Sequence, residues 1–135
     1  FEAMGTNIRY MGAAGSGQHT KMANQIAIAG TLAGVCEAIA YGRAAGLDID
    51  GMLEAIGGGA AGSWQMRNNG EKIAREDYAP GFFIKHFVKD MTLARDEAEA
   101  RALALPVLDK VLEMFRELEA QGLGEEGTQA LIRAY

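Results

Sequence analysis

The chain has 135 residues, the size of a single domain that buries about two-thirds of its unfolded surface in one core. Its 13 basic and 18 acidic residues give a net charge of −5 without a block of lysine and arginine, which argues against nucleic acid or an anionic membrane as a partner. The one cysteine, Cys36, excludes an intrachain disulfide and, within an apolar run, indicates a small buried packing residue in a reducing compartment.

Residues 1–12 contain few features that indicate targeting or secondary structure. Phe1-Glu2-Ala3-Met4-Gly5 has neither a basic region nor an apolar run, so no signal peptide is predicted and a cytoplasmic location is expected. The missing initiator Met at position 1 indicates a piece of a longer chain. Between Gly5 and Gly12, the residues Ile8, Tyr10 and Met11 suggest a possible strand.

A glycine-rich turn, 12–17, leads into a long apolar helix and is expected to place Lys21 in the first helical turn. Such a turn directs free N–H groups and the positive end of the helix dipole at one spot, which favours a carboxylate or phosphate. Gln25 lies four residues after Lys21 and Asn24 lies three residues after it, so all three share one face of the helix. They are predicted to form a polar cluster at the helix tip.

The spacing of this turn does not fit the common phosphate loops. A P-loop has its lysine directly after the last glycine and then Ser or Thr, whereas three residues separate Gly17 from Lys21 and Met22 follows. A dinucleotide fingerprint requires a preceding strand and a third glycine, and Thr20 occupies that third position. A glycine-rich turn before a helix is also an ordinary connection, so the turn alone does not define a site.

Residues 22–36 carry no formal charge, which predicts a central helix buried on nearly every side of an all-α core. The run is shorter than the roughly 20 apolar residues that cross a membrane, and polar residues interrupt it, so no membrane span is expected. Small residues recur along the helix at spacings of three and four, which favours close packing of another helix. They are Ala23, Ala27, Gly30, Gly34 and Ala38.

The remainder of the chain predicts one helix after another, so the expected fold class is all-α in a single domain, 1–135. Gly46 is suited to end the first helix, and Pro106 to open a later one. Trp64, Met66 and Ile73 are expected to reach the core. The further predicted helices are one ending at Ile56 and capped by Asp48 or Asp50, one over 64–75 capped by Ser63, and others over 84–103, 106–122 and 126–135.

A second cluster presents the charged pair Lys89-Asp90 beside the aromatic residues Phe82, Phe83 and Phe87. Such a pair is usually solvated helix surface, so it has weight only together with other signals. The two histidines of the chain have no carboxylate at metal-ligand spacing, and no metal site is predicted.

Taken in order, the two clusters resemble the signature of the β-hydroxyacid dehydrogenases, the family of 3-hydroxyisobutyrate dehydrogenase, tartronate semialdehyde reductase and, more distantly, 6-phosphogluconate dehydrogenase and the imine reductases. The resemblance is to the C-terminal domain of that family and covers the whole chain. The family's turn has the form GxxGxGxxxK followed by amides, and a Lys-Asp pair comes later. This chain supplies Gly12, Gly15, Gly17, Lys21 and Lys89-Asp90, with Phe82 before the pair.

The resemblance implies a role for each of these residues. Lys21 would be the catalytic lysine, which protonates the carbonyl oxygen during reduction. Gly15 and Gly17 would bind the substrate. The family's asparagine four residues after the lysine is Gln25 here, and Asn24 precedes it, so either amide is a candidate for the substrate contact.

The cofactor residues follow from the same resemblance. Lys89 would contact NAD or NADP, with Phe82 and Asp90 lining the cleft near the nicotinamide, and Ser63 and Trp64 would lie at its rim. The family also implies a dimer or tetramer assembled through this helical domain.

No part of the sequence reads as a Rossmann domain, because it lacks βαβ alternation, the glycine fingerprint and a ribose-binding acid. In the family, that half precedes this one and binds most of the dinucleotide, and residues 1–5 would be the junction to it. The chain is therefore expected to be the substrate half of an NAD(P)-dependent enzyme that acts on a small β-hydroxy acid. This half is expected to be inactive alone.

Two other classes of function stay open from the residues alone. The first is a stand-alone helical oligomerisation or interaction module in which the glycine turn is merely structural. The second is a non-redox domain that binds a carboxylate or phosphate at the turn between Gly15 and Lys21. The sequence upstream of Phe1 would discriminate among them, since a strand-rich segment with a GxGxxG turn would favour the dehydrogenase.

Overall fold

The computed structural model describes residues 3–135, so Phe1 and Glu2 of the predicted junction lie outside the described residues. Five α-helices account for most of the described chain. They are α1 (Ser16–Ala44), α2 (Ile49–Gly57), α3 (Glu71–Ala74), α4 (Ile84–Glu99) and α5 (Pro106–Leu118). Two π-helical segments, Gln65–Gly70 and Glu119–Leu123, and a 3₁₀ segment, Thr128–Ala134, complete the fold.

The possible strand between Gly5 and Gly12 does not form. These residues are exposed, and the β-pairing within residues 3–135 is one isolated bridge between Phe83 and Gly127. A strand needs a neighbour for its backbone hydrogen bonds, and no partner strand lies beside this segment in the described chain.

Helix α1 begins earlier than expected. Gly15 adopts a left-handed conformation with φ of 93°, and the helix starts at Ser16 directly after it. The free N–H groups at a helix start belong to its first four residues. Lys21 therefore lies in the second turn of α1 and not in the first.

The expectation of one long helix buried on nearly every side is wrong. Helix α1 is buried along a single face, and its small-residue stripe is largely exposed, with Ala23, Ala27 and Gly34 on the open side. A Cβ atom added at Gly34 would meet no other atom within 4 Å. The buried residues of α1 are Gln25, Ala29, Leu32, Val35, Cys36, Ile39 and Gly42.

By length and apolar composition, α1 could also cross a membrane. Its mean hydropathy reaches 1.3 over 18 residues, so the argument that the apolar run is too short does not hold for a helix of 29 residues. The core helix of a soluble protein can have the same length and composition, so these two properties do not establish a membrane span. The buried face of α1 packs against α4, α5 and the segment Gln65–Gly70.

The core lies where α1, α4 and α5 meet. Leu32 and Ile39 of α1 are fully buried there, as are Phe87 of α4 and Phe115 of α5. The two phenylalanine rings meet edge to face with centroids 5.2 Å apart, a favoured aromatic geometry. Pro106 occupies the start of α5, as predicted, where its missing N–H costs no hydrogen bond.

Several local predictions are confirmed at helix ends. The Asp48 carboxylate accepts a hydrogen bond from the N–H of Gly51 at 2.9 Å, and the Ser63 hydroxyl accepts one from the N–H of Met66 at 3.0 Å. Gly46 follows α1 with φ of 72°. Side-chain caps of this kind satisfy N–H groups that the helix itself leaves free.

The helix predicted over 64–75 forms differently. Its first part, Gln65–Gly70, is wound as a π-helix, and only Glu71–Ala74 is α-helical. Met66 and Ile73 are buried as expected, but Trp64 is 62% exposed and does not join the core. The later helices are also shorter than predicted, since α4 ends at Glu99 and the last predicted helix is the 3₁₀ segment.

Cys36 is fully buried in the core, and this burial raises the pKa of its thiol to about 12 against a smaller lowering by Arg43. The thiolate is the form that attacks alkylating reagents, so both protonation and burial protect this side chain. We expect the peptide containing Cys36 to stay unlabelled by iodoacetamide at pH 8 in the folded protein, as read by mass spectrometry. Unfolding in urea should allow complete labelling, and rapid labelling without urea would contradict the buried position.

Candidate functional site

A chain of polar contacts joins α1 to α4. The Lys21 Nζ donates a hydrogen bond to Gln25 Oε1 at 2.9 Å, and Gln25 Nε2 donates to Asp90 Oδ2 at 2.8 Å. The Asp90 Oδ1 forms an ion pair with Lys89 Nζ at 3.1 Å. We call these four residues the polar chain. It joins the pair Lys21 and Gln25 to the pair Lys89 and Asp90, which lies more than sixty positions later in the sequence. Sequence analysis had identified the two pairs separately.

Gln25 is the centre of the polar chain because it is only 2% exposed. The Asp90 carboxylate can only accept hydrogen bonds, so the amide must turn its NH₂ group toward Asp90 and its oxygen toward Lys21. Asn24 Nδ2 donates to the same oxygen at 3.0 Å. The buried amide therefore holds two neighbouring side chains of α1, Lys21 and Asn24, in fixed positions.

These side chains open onto a cleft of about 730 Å³. Its walls come from α1, the segment Gln65–Gly70, α3, the loop before α4 and the 3₁₀ segment. Two lysines and no carboxylate are among the described residues that line it, so the cleft favours an anion. The lining residues are Lys21, Asn24, Gln25, Ile28, Trp64, Gln65, Asn68, Asn69, Lys72, Gly81, Phe82 and Thr128.

The floor of the cleft is polar although it is buried. Gln65, Asn69 and Thr128 are 8%, 9% and 6% exposed, and Asn69 Nδ2 donates to Gln65 Oε1 at 2.6 Å. Within the described chain, the remaining polar atoms of this floor (Gln65 Nε2, Asn69 Oδ1 and Thr128 Oγ1) have no side-chain hydrogen bond. These three atoms are accessible to solvent, because the buried side-chain atom without a partner in the described residues is Glu126 Oε2. They are therefore available to water or to a polar ligand in the cleft.

The loop that contains Phe82 is held in position by hydrogen bonds from residues 128 and 129. Gln129 Nε2 donates to the carbonyl oxygens of Asp77 and Ala79, each at 3.0 Å. The N–H of Thr128 donates to the carbonyl oxygen of Phe82 at 3.0 Å. The last part of the chain thus sets the position of one wall of the cleft.

The structure brings most of the predicted site residues to one place. Lys21, Asn24, Gln25 and Phe82 line the cleft, and Asp90 reaches it through Gln25. The side chain of Lys89 is 66% exposed and lies outside the lining residues.

Gly15 and Gly17 do not line the cleft, and both are exposed. Six positions of helix separate Gly15 from Lys21, which is about 9 Å along the axis. Among the predicted rim residues, Trp64 lines the cleft, whereas Ser63 acts as a helix cap.

Sequence analysis did not identify the wall of the cleft that lies opposite α1. Gln65, Asn68, Asn69 and Lys72 fall at spacings of three, four and seven, a pattern that places them on one side of a helix. This polar stripe between buried Met66 and Ile73 was the available signal. Residues 3–135 contain no group of three or more His, Cys, Asp or Glu side chains that could hold a metal ion.

A family model described as NAD-binding of NADP-dependent 3-hydroxyisobutyrate dehydrogenase matches residues 15–135, and the chain belongs to this family. The cofactor is accordingly NAD or NADP.

Relatives with curated names agree with this family. The chain is 45% identical to an uncharacterized oxidoreductase, YkwC, of Bacillus subtilis, over 100% of this chain and 47% of that protein. It is 44% identical to a probable 3-hydroxyisobutyrate dehydrogenase-like protein of Arabidopsis thaliana, over 99% of this chain and 40% of that protein. It is 37% identical to the 2-hydroxy-3-oxopropionate reductase of Escherichia coli, over 99% and 46%.

Solved structures show the same likeness. The 3-hydroxyisobutyrate dehydrogenase of Salmonella typhimurium superposes with a TM-score of 0.92 at 30% identity, over 99% of this chain and 47% of that chain. The Mycobacterium tuberculosis 3-hydroxyisobutyrate dehydrogenase with L-serine gives a TM-score of 0.89 at 25% identity, over 98% and 47%. The chain spans about half the length of the relatives that it matches.

The family model corrects the predicted fold class. Sequence analysis assigned an all-α domain like the C-terminal domain of 6-phosphogluconate dehydrogenase, with most of the cofactor bound elsewhere, whereas the family model describes residues 15–135 as NAD-binding. The prediction failed because it linked NAD binding to a strand, a glycine fingerprint and a helix in sequence. The described residues are mostly helical, so this correction concerns the domain's assignment and not its helices.

Proposed function

We propose that the intact protein is an NAD(P)-dependent oxidoreductase that interconverts a small β-hydroxy acid and the corresponding semialdehyde. The observation that carries this proposal is the position of Lys21, which Gln25 holds at the wall of the cleft. The described residues that line this cleft include no carboxylate, and the chain belongs to an NAD-binding family. The names of relatives, among them 2-hydroxy-3-oxopropionate reductase, support the substrate class. Family membership favours this function over an interaction module or a non-redox anion-binding domain.

Lys21 would act on the reacting oxygen. When bound, the cofactor supplies or accepts the hydride at the substrate carbon. During reduction the carbonyl oxygen gains negative charge, and the Lys21 ammonium donates a proton to it; during oxidation Lys21 accepts the hydroxyl proton. An ammonium group has three N–H donors, and Gln25 takes only one of them. Two donors of Lys21 thus remain available to the substrate.

The two amides of α1 would divide their tasks. Gln25 is buried and engaged with Lys21, Asn24 and Asp90, so it positions Lys21. Asn24 is exposed, lines the cleft and keeps its carbonyl oxygen free of hydrogen bonds within the described chain. Asn24 is therefore the amide that we assign to the substrate.

The cofactor would bind at the Lys89 end of the polar chain, whereas the substrate would bind at the Lys21 end. Lys89 extends from α4 and is held beside Asp90 at 3.1 Å, which leaves its ammonium group open to an anionic part of the dinucleotide. Phe82 is 38% exposed at the margin of the cleft and offers an apolar face to the nicotinamide ring.

The exposed stripe of α1 supports self-association as a further part of this proposal. Ala23, Ala27 and Gly34 leave an apolar strip of small side chains uncovered along a 29-residue helix. A second copy related by two-fold symmetry would cover the same strip on both helices. We therefore propose a homo-oligomer, a dimer or tetramer, assembled through α1.

The Lys21→Ala variant of the intact protein should lose about 10²- to 10⁴-fold in kcat, because a positioned proton donor is removed. Steady-state reduction of a semialdehyde, followed by NAD(P)H absorbance, measures this loss, and circular dichroism should show an unchanged fold. Lys110→Ala removes an exposed lysine that pairs with Glu113 and should keep full activity. A Lys21→Ala enzyme with normal kcat would defeat the assignment.

The Lys89→Ala variant should raise the KM for the cofactor more than the KM for the hydroxy acid. The expected reason is that Lys89 contacts the dinucleotide while the substrate lies on the Lys21 side. Both constants come from the same steady-state titrations. If the cofactor KM stays unchanged, Lys89 has no such contact.

The 135-residue chain should be at least a dimer in solution, and sedimentation equilibrium at micromolar concentration would measure its mass against the monomer value of 14.4 kDa. A charge placed in the strip by Gly34→Glu should favour the monomer, because a Cβ atom at Gly34 meets nothing within the protomer. Ala55→Glu adds the same charge at an exposed position of α2 and should leave the mass unchanged. A strictly monomeric parent chain would refute the proposal.

A further inference from the structure

Helix α4 contains a histidine beside Phe82 that the proposed function leaves without a task. The rings of His86 and Phe82 have centroids 6.4 Å apart at an interplanar angle of 37°. His86 also meets Phe83 edge to face, with centroids 5.5 Å apart. His86 is exposed and does not line the cleft, and within residues 3–135 it forms no ion pair or side-chain hydrogen bond. It therefore acts on the cleft through its position next to Phe82.

Phe82 itself is held between His86 and the core. It meets the fully buried ring of Phe87 with centroids 5.9 Å apart and an interplanar angle of 66°. Aromatic rings at such separations attract one another, so both neighbours hold the Phe82 ring in place. The same ring is 38% exposed and lines the cleft. A charge on His86 is consequently kept close to any group that packs against Phe82.

The position of His86 on α4 places it with the charged end of the polar chain. His86 precedes Lys89 by three residues and Asp90 by four, so the three side chains share one face of the helix. Histidine is the side chain whose charge ordinarily changes between about pH 5 and 8. This face therefore contains one group whose charge varies with pH near neutrality, next to the lysine that is proposed to contact the cofactor.

The charged groups connected to this part of α4 are paired among themselves. They come from α4, from the segment after α5 and from α1, and no carboxylate of the described residues pairs with His86. A proton on the His86 ring thus adds a positive charge that has no partner within residues 3–135. The pairs are Lys85 with Glu125, Lys89 with Asp90 and Glu126 with Arg133, and Lys21 is bound to Gln25.

We propose that His86 sets the preference of the protein between the oxidised and the reduced cofactor. The inference rests on the proposed function, in which Phe82 offers its face to the nicotinamide ring. The oxidised ring has a positive charge and the reduced ring has none, whereas both forms have the same phosphates. Protonated His86 repels only the oxidised ring, so the protein binds reduced cofactor preferentially at low pH, and this preference weakens when the imidazole is neutral.

Two effects act on the oxidised ring in opposite directions. The face of an aromatic ring attracts a cation, so the fit of Phe82 to a charged nicotinamide is favourable at every pH. Protonated His86 opposes this attraction. Because only the second effect changes with pH, the pH dependence of binding isolates the contribution of His86 from that of Phe82.

The test measures the Kd of NADP⁺ and of NADPH for the intact protein at about pH 6 and about pH 8, near the two ends of the range in which histidine titrates. The fluorescence of NADPH reports its own binding, and its displacement reports the binding of NADP⁺. The ratio of the Kd of NADP⁺ to that of NADPH should be about two- to fivefold larger at the lower pH, the effect of one partly screened charge. Any effect of pH on the shared phosphates cancels in this ratio.

Variants at His86 separate its charge from its packing. His86→Gln should make the ratio independent of pH, and His86→Lys should keep it at the high value at both pH values. His86→Phe retains a ring against Phe82 without a charge and should behave like His86→Gln. The matched control is His19→Gln, which removes an exposed histidine that contacts Arg101 at 3.2 Å and should preserve the pH dependence of the parent.

The inference fails if the parent ratio does not change with pH, or if it changes equally in a His86→Gln protein that circular dichroism shows to be folded. It also fails if protonation of His86 tightens both forms alike, because His86 then contacts a phosphate and not the ring. The proposed function fails separately. A His86-dependent ratio in a protein that oxidises no hydroxy acid would keep this inference and refute the redox activity, and a protein that binds neither form would refute both.

Discussion

The hydrogen bond between Gln25 and Asp90 is the constraint on which the site depends. A buried amide must satisfy both of its ends, and the carboxylate of Asp90 decides which end faces α4. This bond fixes the register of α1 against α4. It also turns the amide oxygen of Gln25 toward Lys21. The same contact therefore determines how α1 packs against α4 and where the Lys21 ammonium group lies.

The other wall of the cleft follows a different physical rule. The π-helical winding of Gln65–Gly70 is rare in proteins and frequent at functional sites, because the wider turn changes the direction of the side chains. Here the π-helical segment contains two buried amides, Gln65 and Asn69. Apolar side chains at these positions would be buried at a lower cost in free energy. The core of α1, α4 and α5 supplies the stability that allows a polar floor to persist beside it.

Local rules predicted several helix ends and the contact between Lys21 and Gln25, but not the opposite wall of the cleft. Asp48, Ser63 and Pro106 have side chains whose chemistry alone determines where a helix begins, and the spacing of Lys21 and Gln25 determines that they meet. The π winding was not predictable in this way, because no residue type specifies it. The exposure of the small-residue stripe depends on which partners are present, and periodicity gives no information about that.

Gln129 and Thr128 hold the loop of Phe82 by hydrogen bonds that span about fifty residues of sequence. Contacts between distant segments form late, because the intervening chain must first lose the entropy of an open loop. During synthesis, residues 127–129 leave the ribosome after every other residue that lines the cleft. Helices α1 and α4 can pair while the chain is still growing, but the cleft is complete only when residues 127–129 have emerged. A polypeptide stalled before them would therefore lack one wall of the cleft.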